Sequence, residues 1–159
     1  DSHTVAFIWQ AEKMTELPTL PEMQASRAWA INDSGQVAGS SYNLGYVEKK
    51  PAKRACLWDK GKIIDLGTLG EDWSDARAIN NKKQVVGASA VPASKPDEKT
   101  ARAFIWEDGK MLDLNSLIPA DSGWVLREAC GINDAGQIVG DGEIKGHNRA
   151  FLLTLQPSK

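Results

Sequence analysis

The residues with the most chemical potential in this chain are aromatic side chains standing near guanidinium groups. Trp73, Trp124, Tyr42, Tyr46 and Met23 fall in the stretches that separate short apolar runs, and Arg27 and Arg77 sit at the bases of two of these stretches. Flat aromatic faces beside Arg and Asp suit stacking on, and hydrogen bonding to, a sugar or a peptide. Catalytic chemistry has much thinner support. The acids Glu16, Asp65 and Asp113 recur at one place in the pattern, but each precedes a Leu, which is the polar/apolar alternation of a half-buried strand. His3 and His147 are isolated, and no Cys/His spacing fits a metal site. No nucleophile elbow or phosphate loop is present, so no catalytic residue, cofactor or metal is assigned.

These residues are carried by a repeat. Ala30-Ile31-Asn32-Asp33-Ser34-Gly35-Gln36-Val37-Ala38-Gly39 returns as Ala78 to Gly87 and again as Gly131 to Gly140. Apolar runs start at Ala6, Ala55, Ala103 and Ala150, which sets a repeat of about 48 residues. Each copy reads as four short strands. The runs Phe7-Ile8-Trp9, Cys56-Leu57-Trp58 and Phe104-Ile105-Trp106 are the first strand, followed by a tight hairpin and a second strand ending at Leu17, Leu66 and Leu114. The third strand ends at Ile31, Ile79 and Ile132. The Asn turn then leads into the fourth. The first hairpin, Gln10 to Lys13, lacks the glycine of Gly61 and Gly109 and is expected to be less regular. Lys83 replaces the turn glycine of copy two, which predicts strain or a different shape there.

The expected fold is all-β: a single domain over 1–159, with repeats at about 4–52, 53–100 and 101–148 and an extra strand at 149–155. Four strands in such a length make a propeller-type blade. Three copies are too few to close a propeller, so a partial propeller, or a ring completed by another chain or by further repeats, is expected; a β-trefoil is the alternative. The long polar stretches after the fourth strands are expected to cross between blades. The recurrent Trp9, Trp58 and Trp106 are expected to pack between blades. Almost no helix is expected.

Ala-Phe-Ile-Trp, Asp65-Leu66-Gly67-Thr68-Leu69-Gly70 and Ala78-Ile79-Asn80-Asn81 with Gln84 to Gly87 occur in fixed order. This pattern resembles the HAF repeat family of bacterial extracellular repeat proteins, along essentially the whole chain. The opening His of that motif is absent here: Thr4-Val5, Lys53-Arg54, Ala101-Arg102 and Asn148-Arg149 stand in its place. The resemblance implies a secreted, cell-surface or periplasmic protein and carries over no catalytic residue.

Bulk properties agree with a folded repeat module. Hydrophobic residues are 42% and charged residues 25% of the chain, and the net charge is -2. That balance gives no basic field for nucleic acid, and no apolar run reaches the roughly 18 residues that cross a bilayer. The small basic cluster Lys49, Lys50, Lys53 and Arg54 reads as a solvated loop. Cys56 and Cys130 occupy different positions of the repeat and read as free, mostly buried thiols. The chain is therefore expected to be a non-catalytic binding or assembly module that displays loops to a glycan or protein ligand. The alternatives are a propeller-type enzyme with a polar centre shared between blades and a purely structural array.

Overall fold

The computed structural model describes residues 4–45, 53–92 and 101–154. Tyr46, Lys49, Lys50, His3 and Leu155, discussed above, lie outside them. The chain is all-β, with thirteen strands among the described residues and one turn of 3-10 helix at Leu114–Leu117. The first sheet pairs β1 (Phe7–Gln10) with β2 (Lys13–Glu16). The second runs β3 (Ala25–Ile31), β4 (Val37–Tyr42), β5 (Lys53–Asp59), β6 (Lys62–Asp65). The third runs β7 (Ser74–Ile79), β8 (Val85–Ala90), β9 (Ala101–Glu107), β10 (Lys110–Asp113). The fourth holds β11 (Trp124–Ile132), β12 (Gln137–Ile144) and β13 (His147–Thr154). All pairings between the named strands are antiparallel, and the four sheets stack face to face as blades without a closed barrel. A trefoil is set aside by that arrangement.

The blades are offset by half a repeat from the sequence copies. β4 pairs with β5, and β8 with β9, so the long connections stay inside a blade. The crossing is made by the shorter stretch from β6 to β7, which corrects the expectation drawn from loop length. The reason lies in the apolar runs. Ala55 to Trp58 and Ala103 to Trp106 are buried at every position. A strand without polar alternation belongs in a sheet interior with a packed layer on each face. Alternate residues then serve opposite neighbours. Cys56 and Trp58 pack against Ala6 and Leu17 of the first hairpin, while Ala55 and Leu57 pack against Ala76, Ile79 and Phe104 of the third sheet. Val86, Ala103 and Ile105 face Leu126, Ala129 and Ile138 of the last one.

The turns are more uniform than expected. Ala11 and Glu12 hold φ of 50° and 60°, beside 50° and 77° at Lys60 and Gly61. Lys83 takes φ 64° where Gly35 and Gly136 take 74° and 77°, and its N–H donates to the Asn80 carbonyl at 3.1 Å as theirs do to Asn32 and Asn133. Non-glycine residues thus accept the left-handed conformation at a cost of about 1 kcal/mol. The stretch after Asp141 is not a long connection: β12 and β13 run on to meet at a two-residue turn, Lys145-Gly146.

At one matched place in every copy a glycine is fixed by a β-bulge. The registers of β3, β7 and β11 slip at Ala28/Ala30, Ala76/Ala78 and Ala129/Gly131. A Cβ on Gly39, Gly87 or Gly140 would fall on the carbonyl oxygen of Arg27, Asp75 or Glu128. The bulge brings one backbone against the other, where only a hydrogen fits. Gly87→Ala should cost at least about 2 kcal/mol in urea unfolding; a loss under about 0.5 kcal/mol would mean that the bulge relaxes freely.

Candidate functional site

Two kinds of contact join neighbouring blades. At one end, the three Asn turns form a ladder. In each turn the Asn Oδ1 accepts from the backbone N–H of the Gln four residues on, and its Nδ2 donates to that Gln's Oε1. The same Nδ2 of Asn32 reaches the Asn80 carbonyl at 3.1 Å, and that of Asn80 reaches the Asn133 carbonyl at 3.0 Å. The next residue repeats the step: Asp33 N–H donates to Asn81 Oδ1 and Asn81 N–H to Asp134 Oδ1. Asn81 Nδ2 also donates to both flanking carboxylates, at 2.7 and 2.9 Å. These bonds from Asn81 hold the Asp134 carboxyl below its ordinary range. An Asp at position 81 would instead set three carboxylates in a row.

At the opposite end, buried serines join the blades. Ser26 Oγ accepts from Ala6 N–H and Ser74 Oγ from Ala55 N–H. Ser41 and Ser89 accept from Leu20 and Leu69 N–H in the same way. Sequence reasoning missed them, although both pairs stand at matched places in copies one and two. In the last copy Asn115 takes over, donating to and accepting from the Leu126 backbone at 2.9 and 2.8 Å.

Between these ends, the inner strands β3, β7 and β11 carry a polar stripe. Positions five and three residues before the turn Asn hold Arg27 and Trp29, then Asp75 and Arg77, then Glu128 and Cys130. The nearer residue of one blade meets the farther one of the next. Trp29 Nε1 donates to Asp75 Oδ1 at 3.3 Å, and Arg77 Nε to Glu128 Oε1 at 2.6 Å. Asp75 is fully buried and is answered by Lys53 at 3.1 Å and Arg77 at 3.5 Å. The guanidinium carbons of Arg27 and Arg77 lie 5.2 and 4.7 Å from the Trp29 ring centroid, a cation–π contact on an indole that is 43% exposed.

The expected site residues thus fall into separate groups. Arg27 and Arg77 are joined to Trp29, not to the loop aromatics. Trp124 is half-buried and lines a cleft of ≈ 390 Å³ with Ile118, Pro119, Phe151 and Leu153. Trp73 is half-buried and forms a parallel bridge with Lys53. Met23 and Tyr42 are half-buried at one end of the second sheet, where Gln24 N–H donates to the Tyr42 carbonyl. Trp58 and Trp106 are buried as expected, but Trp9 is 61% exposed because none of the described sheets lies on its far side.

Glu128, Cys130 and Asp141 offer oxygen and sulfur atoms within 4.8 Å of one another. Glu128 already binds Arg77, and burial together with the Glu128 and Asp141 charges pushes the Cys130 thiol up. Its thiol is therefore a poor nucleophile near neutral pH. Both cysteines are free, and Cys130 is exposed, not buried as expected. Cys56 is pushed up to about 12, chiefly by burial. Only Cys130 should alkylate in the native chain, with a rate that keeps climbing as pH passes the ordinary thiol range. Mass-resolved iodoacetamide labelling checks this; early labelling of Cys56 would show that its blade opens.

No curated protein and no solved structure matches the chain. A family profile does, over residues 2–152. The chain belongs to the family described as Protein of unknown function (DUF3466).

Proposed function

We propose that this chain is a non-catalytic binding and assembly module whose outer blades dock on further blades of the same kind. One observation carries the reading. Side chains at matched places of the repeat differ in burial only by whether a blade covers them. Leu57 and Ile105 are 0% and 3% exposed, while Leu152 is 66% exposed. Val86 is 0% exposed and Val139 47%. At the other end, Ile79 is 7% exposed and Ile31 63%, and Phe104 is 0% and Phe7 55%. Large apolar patches left in water at both ends of a stack are the mark of contact surfaces.

An enzyme with a polar centre has the inner-strand acids in its favour. Those acids, however, are engaged: Asp75 with Trp29, Lys53 and Arg77, and Glu128 with Arg77. The resemblance to HAF repeats supports a secreted, surface or periplasmic setting for the module. Met23 and Trp73 in the connections, with Tyr42 closing β4 and Trp124 opening β11, lie at the Ser-clamped end of the blades, which suits that end to a glycan or protein ligand.

The test compares two substitutions at one place of the repeat. Leu57→Glu buries a charge and should prevent folding. Leu152→Glu should move the thermal midpoint by no more than about 2 °C, as for a surface change. Equal damage from both would make the β13 face part of the chain's own core and remove the reading.

A further inference from the structure

The first sheet is half a blade. β1 and β2 cover the outer part of the second sheet, and beside them a cleft of ≈ 350 Å³ is lined by Phe7, Trp9, Trp29, Ile31 and Val37. In the second and third sheets, the place of this cleft is filled by a hairpin of third and fourth strands. The edge it would join pairs with no other strand among the described residues. Leu17 N–H donates to the Ala6 carbonyl, and the two-residue turn after Gln10 fixes the register, so the amides of Phe7 and Trp9 point away from β2.

We propose that this cleft binds, by strand addition to β1, a β-hairpin of the same repeat type with an Asn-Asn turn and an acid three residues before that turn. The proposal rests on the reading of the open faces as docking surfaces and names what docks. The internal interfaces set its chemistry. The residue three before the turn meets the one five before the turn in the next blade, as Trp29 meets Asp75 and Arg77 meets Glu128. At the open end that next residue is Arg27. It is exposed and has no acid within ion-pair distance among the described residues, so an incoming Asp or Glu complements it. The residue after the turn Asn meets Asp33, whose neighbour on the other side is the amide of Asn81. An Asn there donates to the Asp33 carboxylate, whereas an Asp would repel it.

These requirements exclude a second copy of the chain. Its end hairpin, β11 with β12, would bring Cys130 to Arg27 and Asp134 to Asp33. The β12 edge that β1 needs is also taken by β13 over eight residue pairs. The occupant is a hairpin whose fourth strand has a free edge.

The experiment adds a second copy of residues 72–92 ahead of Asp1 through a flexible linker of about six residues. Three added hairpins are compared: one with Arg77→Glu, one unchanged, and one with Arg77→Glu, Asn80→Ala and Asn81→Ala, all within the added copy only. With the first, exchange of the Phe7 and Trp9 amides should slow at least about tenfold relative to the unextended chain. The unchanged hairpin should protect less, since it sets Arg against Arg27, and the alanine version should not protect. Equal protection by all three, or by none, would overturn the proposal. The Leu57 and Leu152 comparison is made on the unextended chain, so it can stand when this fails.

Discussion

The structure depends on one constraint: a central strand with no polar position has to be covered on both faces. Ala55-Cys56-Leu57-Trp58 sends Cys56 and Trp58 to one neighbour and Ala55 and Leu57 to the other. Ala103 to Trp106 does the same one blade further on. A blade of this kind has no solvent face, so its stability is shared with the blades beside it. Burial of the large side chains, such as Leu57, Phe104 and Ile105, is worth about 1.5–3 kcal/mol each.

The polar contacts follow from the same stacking. A ridge of backbone turns brought side by side needs partners for its carbonyls and amides. The Asn ladder meets that need at one end and Ser26, Ser41, Ser74 and Ser89 meet it at the other. Differences between copies become intelligible on this basis. Asn81 sits between Asp33 and Asp134 because an amide satisfies two carboxylates that a third would repel. Arg77 in the middle blade reaches Glu128 in the next, a complementarity no single copy displays. The repeats are similar in backbone and tuned in charge.

Much of this was legible in the sequence, and the limits are instructive. The all-β class, the short strands and the Asn turns follow from period and turn chemistry, which are local. The Asn-to-Gln spacing within each turn was visible, but the second use of the Asn amide, across to the next copy, is a tertiary fact. Blade phase does not follow from loop length, because the long connections after β4 and β8 join paired strands and the shorter stretch from β6 to β7 crosses between sheets. The unbroken apolar runs Ala55 to Trp58 and Ala103 to Trp106 are the better signal, since a strand packed on one face only alternates apolar with polar residues. Trp9 shares its sequence position with Trp58 but not its surroundings, so repeat position alone does not fix burial. Trp73 and Trp124 stand just before β7 and at the first residue of β11, whereas Arg27 and Arg77 lie further along their strands, where they meet Trp29 in the polar stripe.

The central claim is that neighbouring blades stabilise one another as a unit. Scanning calorimetry of the whole chain tests it through the ratio of calorimetric to van't Hoff enthalpy. Mutual dependence predicts one transition with a ratio of about one. A ratio of about two or more, with resolved steps, would mean that blades hold their structure alone and would contradict it.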